Sequence, residues 1–392
     1  MPPGPPDDSD ARRAFVVVID ALGAGAEPDA AEYGDEGAHT LRHLADAVGG
    51  LELPTLQRLG LGDLGPVRGV PRSPEPVLHG VLHHLGPGKD STTGHWELMG
   101  VVLTDPLPTY PGGLPAELLA RLEAATGHRL CGGDAEDGLA AIERHGRHHL
   151  QTGELIAYTS VDSVVQLAAH EDVLSQVELE DACAAARIEL RGPDAVGRVI
   201  ARPFRGPPGE FERTLGRRDF ALPPPTRSYL DALRDLEVPV HAIGKVEDLF
   251  AGQGIDHAYP GATNAEALGM LDLLVEELPS GLAFANLIET DQVFGHRKDV
   301  EGFHTALREI DDAVAGWLER LGAGDLLIIT ADHGVDPQTA HADHTRERVP
   351  LLACFAGDEG RRHDGPMADV GASVLRWLTG TEDPLLPGEP FA

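Results

Sequence analysis

The chain has 392 residues, which is enough for two domains or for one large domain with an insertion. It carries 31 lysines and arginines against 64 aspartates and glutamates, and the resulting net charge of −33 argues against binding to nucleic acid. We expect no membrane association, because no apolar stretch approaches the roughly 20 residues that span a bilayer. The 3 scattered cysteines favour a reducing compartment, so we expect a cytoplasmic protein.

At the start of the chain, the first residues contain no apolar segment, so they are not predicted to be a signal peptide. We predict a disordered leader at 1–13. An apolar strand is predicted at 14–20, ending at Asp20 before a glycine-rich turn. Further along, 88–97 is a short polar segment bounded by glycines, with three hydroxyl side chains. A serine there could act as a nucleophile only if a metal or a base activated it. The alternative for this segment is a surface turn rich in serine and threonine.

The middle of the chain has a different character from its two ends. Two proline-rich passages, 105–113 and 222–225, bracket it, and such passages suit crossovers between domains. The elements predicted between them are one helix and two strands: 115–126, 155–159 and 196–201. We therefore predict an inserted α+β cap domain at 106–222, within a core formed by 14–105 and 223–392.

Strand and helix patterns alternate through the remainder of the chain. The predicted strands are three apolar runs: 238–244, 282–288 and the run that begins at Asp325. The predicted helices have apolar residues three and four positions apart: 226–236, 264–278, 302–321 and 367–378. This alternation predicts an α/β fold with a mostly parallel sheet.

The candidate metal ligands all lie on or just after predicted strand ends, where parallel sheets place their ligand sites. They are three carboxylates and three imidazoles: Asp20, Asp291, His296, Asp332, His333 and His344. Such a set would hold two divalent cations, and oxygen and nitrogen donors without thiolate fit manganese, zinc or magnesium. Paired cations clamp the attacking and leaving oxygens of a phosphoryl transfer. Taken singly, each residue has an ordinary alternative as a turn or capping residue.

Three cationic side chains are candidates for contact with a phosphate group: Arg198, Arg213 and Lys245. Arginine can form charge-assisted, bidentate bonds to phosphate, and a lysine at a strand end adds a point charge. The alternative for any single arginine is a surface ion pair that contributes little to stability. An anionic small molecule is therefore a possible substrate even for this acidic chain.

Several passages of the chain match motifs of one enzyme family. They are Asp20-Ala-Leu-Gly-Ala-Gly, Gly88-Lys-Asp-Ser-Thr-Thr-Gly-His-Trp-Glu, Tyr158-Thr-Ser-Val-Asp-Ser-Val, Gly197-Arg-Val-Ile-Ala-Arg-Pro-Phe, Phe294-Gly-His-Arg-Lys-Asp, and Thr330-Ala-Asp-His-Gly with Asp343-His-Thr-Arg-Glu. Through these passages, from residue 15 to 352, the chain resembles the phosphopentomutases of the alkaline phosphatase superfamily. The Asp-His-Gly motif is shared across that superfamily, whereas the Gly-Lys-Asp and Tyr-Thr-Ser passages are far more specific to phosphopentomutases.

The resemblance implies an alkaline-phosphatase-like core, a mobile cap and two divalent cations, with manganese expected. It implies that one ion is bound by Asp291, His296 and His344. It implies that the other is bound by Asp20, Asp332, His333 and the nucleophile, which is Ser91 here and a threonine in the family. The positions that contact the sugar phosphate in the family are matched by Asp162, Val164, Arg198, Arg213 and Lys245.

The chain departs from the family pattern at three places. These departures affect the expected identity of the natural sugar substrate more than the expected reaction. Ser91 lacks the methyl group of threonine and has a less restricted rotamer. The family's Asp-Phe-Asp is Glu289-Thr-Asp291 here, which keeps the ligand and changes its neighbours. The early Asp-Thr of the family is His39-Thr40.

The activity implied by the resemblance is interconversion of the 1-phosphate and 5-phosphate of ribose or deoxyribose. It would proceed through phospho-Ser91 and a sugar bisphosphate, which is also the expected priming donor, and Asp162 would orient a sugar hydroxyl. One alternative is a mutase or phosphatase acting on a modified, pathway-specific sugar phosphate. A second is a binding protein with an inactive metal site. The oligomeric state is open, with a monomer among the options.

Overall fold

The computed structural model describes residues 12–160 and 162–392. It divides into two compact units, which we call the core unit and the inserted unit. The core unit consists of the chain up to Asp105 together with Pro224–Ala392, and the inserted unit is Pro106–Pro223. A role of the inserted unit as a cap stays a prediction.

Strands and helices alternate along most of the described chain. The strands are β1 (Arg13–Ile19), β2 (Leu78–His83), β3 (Leu130–Ala135), β4 (Leu155–Thr159), β5 (Val164–His170), β6 (Arg198–Arg205), β7 (Glu212–Arg213), β8 (Arg218–Ala221), β9 (Val240–Ile243), β10 (His257–Tyr259), β11 (Gly281–Leu287), β12 (Asp325–Thr330), β13 (Val349–Cys354) and β14 (Gly365–Pro366). The α-helices are α1 (Thr40–Ala47), α2 (Pro54–Leu59), α3 (Ser91–Leu98), α4 (Ala116–Thr126), α5 (Gly138–Thr152), α6 (Gln176–Glu189), α7 (Tyr229–Asp235), α8 (Val246–Leu249), α9 (Asn264–Glu277), α10 (Val300–Leu318) and α11 (Asp369–Thr379). Short 3₁₀ turns cover Ala30–Tyr33, Leu61–Asp63 and Gly192–Asp194, and a π-helical turn covers Thr290–Gly295.

The sheet of the core unit has the strand order β10-β9-β11-β1-β12-β13-β2-β14 within the described residues. All neighbours from β10 to β12 are parallel, whereas β13 is antiparallel to both β12 and β2. In the centre, β11 and β12 are buried along their whole length, as is β1 after its first residue. Strands covered on both faces need apolar side chains throughout, which is why these three are continuous apolar runs. The predicted mostly parallel sheet is confirmed.

Helices cover this sheet through apolar stripes. In α10, the buried residues Phe303, Leu307, Ile310 and Val314 recur at intervals of three and four, so they share one face of the helix. Helix α9 packs against β11, and α11 packs against β1. In the described part of the chain, no helix combines the length and the apolar character needed to cross a bilayer.

The inserted unit is an α+β unit with its own core. Its sheet has the order β3-β4-β5-β6-β7, and β8 pairs with β6. Helices α4 and α6 pack on one face around Leu122 and Leu179, and α5 packs on the other face around Tyr158 and Phe204. Successive residues of β4 point to opposite faces, so this short strand contributes to both clusters. The structure gives β4 the bounds 155–159 that the sequence predicts.

The predicted leader at 1–13 falls almost entirely outside the described residues. Its last position is wrong, because Arg13 is the first residue of β1. The side chain of Arg13 donates from Nε and Nη2 to the two carboxylate oxygens of Asp325, at 2.6 and 2.7 Å. This bidentate pair joins the starts of two adjacent central strands, β1 and β12. Strand β1 therefore begins at a charged residue that the hydrophobic pattern alone does not include.

We expect Arg13→Ala to lower the free energy of unfolding by about 3 kcal/mol, because it removes one partner of a mostly buried ion pair. The matched control is Arg376→Ala, whose partner Glu382 is 2.9 Å away on an exposed surface. That change should cost less than about 1 kcal/mol. Urea unfolding followed by fluorescence measures both values. Equal losses in the two variants would contradict the assigned role of Arg13.

Candidate metal centre

Three adjacent strands bring the predicted ligands to one edge of the core sheet. Strands β11, β1 and β12 are neighbours and parallel, so their carboxyl ends meet at the same edge. Asp20 directly follows β1, and Asp332 and His333 follow β12. Asp291 lies in the π-helical turn after β11, and His344 lies in the segment that precedes β13.

One group of possible ligand atoms belongs to Asp20, Asp332 and His333, and these atoms lie within 4.8 Å of one another. All three residues are fully buried. The Nε2 atom of His333 is 3.4 Å from Asp20 Oδ1 and 3.4 Å from Asp332 Oδ2. The hydroxyl oxygen of Ser91 is 3.1 Å from the same Nε2 atom. The four residues that the resemblance assigns to one ion therefore lie together.

A second group lies beside the first and shares His333 with it. The ligand atoms of Asp291, His333 and His344 are within 4.8 Å of one another. Asp291 Oδ1 is 3.4 Å from His296 Nε2 and 3.5 Å from His344 Nε2. The structure thus brings together all six metal ligands that the sequence predicts.

Unpartnered buried atoms provide a test of whether these residues fit divalent cations. Asp20 Oδ1, Asp291 Oδ1, Asp332 Oδ2 and His344 Nε2 are all buried and have no hydrogen-bond partner. A buried polar atom without a partner costs about 1–3 kcal/mol, so native structures rarely hold several in one place. Here they converge on two small regions, and all are oxygen or nitrogen donors. The donor set fits divalent cations.

Two of the histidines, His296 and His333, offer their Nε2 atoms because their Nδ1 atoms already form hydrogen bonds. His296 Nδ1 lies 2.7 Å from the carbonyl oxygen of Ala342, and His333 Nδ1 lies 3.1 Å from that of Gly334. A carbonyl oxygen only accepts, so in both rings Nδ1 carries the proton and donates it. The Nε2 atoms are then left as the ring nitrogens that could bind a cation, in the arrangement common to metal-binding histidines.

The two carboxylates at the strand ends respond to burial in opposite ways. Burial raises the pKa of Asp20 well above its usual value, repulsion from Asp332 raises it further, and Lys245 opposes both effects. Burial would also raise the pKa of Asp332, but His333 and His95 lower it below its usual value. Burial lowers the pKa of His333 to about 4, so this imidazole is neutral near pH 7. Ionising both carboxylates of the first group is therefore unfavourable unless a positive charge lies beside them, and a bound cation would supply that charge.

The second group has the charge pattern of an ion pair. Burial opposes ionisation of Asp291, but His296 and His344 lower its pKa well below the usual value. The same carboxylate raises the pKa of His296 to about 9. When no cation is bound, protonated His296 supplies the positive charge next to Asp291. Cations and protons therefore compete for this group.

Ser91 is placed by the first turn of helix α3, of which it is the first residue. Asp90 caps this helix by accepting from the backbone nitrogens of Thr92 at 2.9 Å and Thr93 at 3.1 Å. Gly94 allows the helix to approach the end of β12, because a Cβ atom there would lie 2.3 Å from the carbonyl oxygen of Asp332. The positive end of the helix dipole is thus at the Ser91 hydroxyl, where it favours a bound anion.

The predicted substrate contacts lie in both units. In the core unit, Lys245 Nζ is 3.6 Å from Asp20 Oδ2. In the inserted unit, Val164 and Arg198 are register partners on β5 and β6, and the nitrogen of Val164 donates to the carbonyl oxygen of Asp162 at 2.9 Å. Val164 itself is buried. Arg213 lies on β7, a strand paired with the far end of β6, so it is separated along the sheet from Arg198.

Comparison with known proteins identifies the family. A family model described as the Metalloenzyme superfamily matches residues 12–380. The phosphopentomutase of Dictyoglomus turgidum is 46% identical over 342 residues, which is 87% of each chain. That of Anaeromyxobacter sp. is 45% identical over 373 residues, covering 94% of this chain and 95% of the relative. The chain belongs to the phosphopentomutase family. The predicted family is therefore confirmed. The predicted enzyme class, a metal-dependent phosphosugar mutase and so an isomerase, is confirmed as well.

Solved structures support the fold. A phosphoglycerate mutase from Leishmania mexicana, determined at low cobalt concentration, aligns with a TM-score of 0.51 at 16% identity and covers 97% of each chain. The PH0037 protein from Pyrococcus horikoshii aligns with a TM-score of 0.50 at 13% identity, covering 95% of this chain and 99% of its own. At these identities the likeness concerns the fold alone. The predicted fold class is confirmed.

Two residues that support the ligands are missing from the predicted set. The amide nitrogen of Asn286 donates to Asp20 Oδ2 at 3.1 Å. His95 donates from Nδ1 to the carbonyl oxygen of Ser91 at 2.8 Å, and the same atom is 3.2 Å from Asp332 Oδ2. Asn286 had a signal in the sequence, because it is the one polar side chain inside the apolar strand β11. His95 had no signal in the sequence apart from its place in a matched motif.

We expect Asp20→Asn to leave the metal-free protein as stable as the wild type or more stable, since a buried carboxylate with a raised pKa is unfavourable when ionised. The same change should weaken Mn²⁺ binding by about 100-fold or more, because it removes a charged ligand. Thermal unfolding in a chelator and Mn²⁺ titration of the metal-free protein measure the two effects. A marked loss of stability combined with unchanged Mn²⁺ affinity would contradict the ligand role of Asp20.

The ion pair of His296 predicts a pH dependence for the metal-free protein. The folded-state pKa of His296 is about 9, above its ordinary value of 6.5. The stability it contributes is therefore complete below about pH 6.5 and is lost as the pH rises through 9. Asp20, whose pKa is also raised, acts in the same direction.

Melting temperatures measured in chelator between pH 6 and 10 should fall across this window in the wild type. The fall should be shallower in His296→Asn, which cannot hold the proton. A parallel pH dependence in the two proteins would show that His296 does not titrate as described.

Proposed function

We propose that this chain interconverts the 1-phosphate and 5-phosphate of ribose or deoxyribose, with Ser91 carrying the phosphoryl group between them. The observation that carries the proposal is the position of the Ser91 hydroxyl, 3.1 Å from His333 Nε2 beside the six convergent ligands. An isolated serine hydroxyl is a weak nucleophile and needs such surroundings to react. The relatives named phosphopentomutase support the choice of a pentose phosphate as substrate.

We assign two divalent cations, with manganese as the metal, to the convergent ligands. One would be held by Asp291, His296 and His344, and the other by Asp20, Ser91, Asp332 and His333. When bound, such ions supply Lewis-acid stabilisation of the charge on a transferring phosphoryl group. The support for this assignment is the set of unpartnered buried atoms on these residues.

The phosphorylated form of Ser91 is stabilised by its place in the chain. As the first residue of helix α3, it lies at the positive end of the helix dipole. Lys245 is in the same region, 3.6 Å from Asp20 Oδ2. A phosphoryl dianion on Ser91 would therefore meet local positive potential although the chain as a whole is strongly acidic.

The reaction consists of two transfers. Phospho-Ser91 gives its phosphoryl group to the free hydroxyl of a bound sugar monophosphate, so the Ser91 Oγ–P bond breaks as a sugar O–P bond forms. The bisphosphate then reorients, and its other phosphoryl group is transferred to Ser91 Oγ, so the second sugar O–P bond breaks as the Ser91 Oγ–P bond forms again. An unphosphorylated enzyme would be primed by a sugar bisphosphate in the same way.

This cycle requires that water be kept from phospho-Ser91, because hydrolysis would end it. We assign this role to the inserted unit, Pro106–Pro223, acting as the cap predicted at 106–222. From that unit, Asp162 would orient a sugar hydroxyl, while Val164, Arg198 and Arg213 would contact the sugar phosphate. From the core unit, Lys245 would add a charge. Supporting this assignment, Asp162 is exposed on the inserted unit, and Arg213 is exposed as well.

The test is product analysis with ribose 5-phosphate, Mn²⁺ and a catalytic amount of the corresponding bisphosphate. We expect ribose 1-phosphate by phosphorus NMR and a phosphorylated Ser91 peptide by mass spectrometry. Ser91→Ala should lose the phosphopeptide and about 1,000-fold or more of the turnover. Ser91→Thr should keep both, because it keeps the hydroxyl.

The matched control is Thr92→Ala, which removes the adjacent hydroxyl and should remain phosphorylated. Release of free phosphate without ribose 1-phosphate would contradict a mutase and favour a phosphatase. A phosphopeptide that persists in Ser91→Ala would show that another residue is the nucleophile.

A further inference from the structure

Glu347 is a buried carboxylate that lies outside the ligand set. Its Oε1 atom accepts from the hydroxyls of Thr40 and Thr345, both at 2.7 Å. Its Oε2 atom accepts from the backbone nitrogens of Thr40 at 2.9 Å and Gly25 at 3.1 Å. Across residues 12–160 and 162–392, no lysine, arginine or histidine forms an ion pair with it, so these four donors are what offsets its loss of hydration.

Two glycine residues pack directly against this carboxylate. A Cβ atom on Gly23 would lie 2.3 Å from Glu347 Oε2, and one on Gly334 would lie 2.3 Å from Oε1. Neither glycine has a positive φ, so backbone conformation does not require glycine there. The close approach of the carboxylate does, because a real Cβ cannot come within 3.0 Å of these atoms.

These contacts join the three segments that bear the proposed ligands. Gly23 and Gly25 follow Asp20, Gly334 directly follows His333, and Thr345 directly follows His344. Backbone hydrogen bonds reinforce the junction: Thr345 N donates to Gly334 O at 2.8 Å, and Arg348 N donates to Gly25 O at 2.8 Å. One side chain therefore bridges the ends of β1 and β12 and the segment before β13.

We propose that Glu347 is a positioning residue that sets the spacing between Asp20, His333 and His344, and through them the separation of the two cations. This inference rests on the proposed function, since it concerns the same two-metal site. Glu347 contacts none of the ligand side chains, so it acts through the backbone of their neighbours. Its action depends on the reach of the side chain and on its four contacts.

Two conservative variants separate the effect of the length of the Glu347 side chain from the effect of its charge. In Glu347→Gln the amide nitrogen can face the hydroxyls of Thr40 and Thr345, which can turn to accept, while the amide oxygen still accepts from the two backbone nitrogens. All four contacts survive without the charge. Glu347→Asp keeps the charge but withdraws the carboxylate by one methylene, so it cannot reach all three segments.

The experiment measures Mn²⁺ binding to the metal-free full-length protein by titration and the exchange coupling of the Mn²⁺ pair by electron paramagnetic resonance. For Glu347→Asp we expect Mn²⁺ affinity to fall by about 10–100-fold, with the coupled signal weakened or replaced by that of isolated ions. Its kcat should fall while KM for ribose 5-phosphate changes little. Glu347→Gln should restore the wild-type coupling. A third variant, Thr345→Val, removes one hydrogen-bond donor to Glu347 and changes the side-chain volume little. It should lower Mn²⁺ affinity by an intermediate amount, and it keeps the test available if Glu347→Asp does not fold.

Arg13→Ala is the control for general loss of stability, because it weakens the same unit at the opposite end of the strands and should keep wild-type coupling. Wild-type coupling and affinity in Glu347→Asp, or their loss in Glu347→Gln, would overturn the positioning role. A wild-type protein that binds no coupled pair would overturn the two-metal site itself. The wild-type sample therefore distinguishes failure of the proposed function from failure of the role of Glu347.

Discussion

The electrostatic constraint on this fold is the pair of buried carboxylates, Asp20 and Asp332, at the ends of adjacent parallel strands. Burial and mutual repulsion raise the pKa of Asp20 well above its usual value, so the arrangement is unfavourable in isolation. The fold maintains it because β1 and β12 are held in register and fixed at their opposite ends by Arg13 and Asp325. A sheet this rigid can hold charges together that a flexible loop would separate. The unfavourable charge is what gives the site its affinity for cations.

The two units divide the proposed chemistry between them. Every proposed metal ligand and Ser91 belong to the core unit, whose central strands are buried along nearly their whole length. The residues proposed to recognise the sugar are mostly in the inserted unit, which has its own sheet and its own hydrophobic clusters. Because each unit has a separate core, the inserted unit can change its substrate contacts without disturbing the metal site. The departures at Ser91 and Thr290, by contrast, lie in the core unit close to the reacting groups.

The sequence predicts the central strands and the ligands for the same physical reason. A short apolar run such as β12, with two isoleucines and polar residues at both ends, favours a strand buried on both faces, and the polar residue at its end is left at the sheet edge. The short strand β2, Leu78-His-Gly-Val-Leu-His83, has no such run, and its pairing with β13 is antiparallel and depends on residues far away in sequence. Helix α3 is also missed: its serine and threonines favour a turn, and the helix forms because Asp90 caps it. The roles of His95 and Glu347 exist only as contacts between distant segments, so no local pattern contains them.

The substitution of serine for the family's threonine can be understood from how Ser91 is held. A threonine is restricted by its own β-branch, whereas serine must be restricted by its surroundings. Here the backbone around it is fixed from three directions: Asp90 caps the helix, His95 donates to the carbonyl oxygen of Ser91 at 2.8 Å, and Gly94 brings the helix against Asp332. The hydroxyl itself lies 3.1 Å from His333 Nε2. The position of the proposed nucleophile is therefore set by the start of helix α3 and by one hydrogen bond, and neither depends on the methyl group that serine lacks.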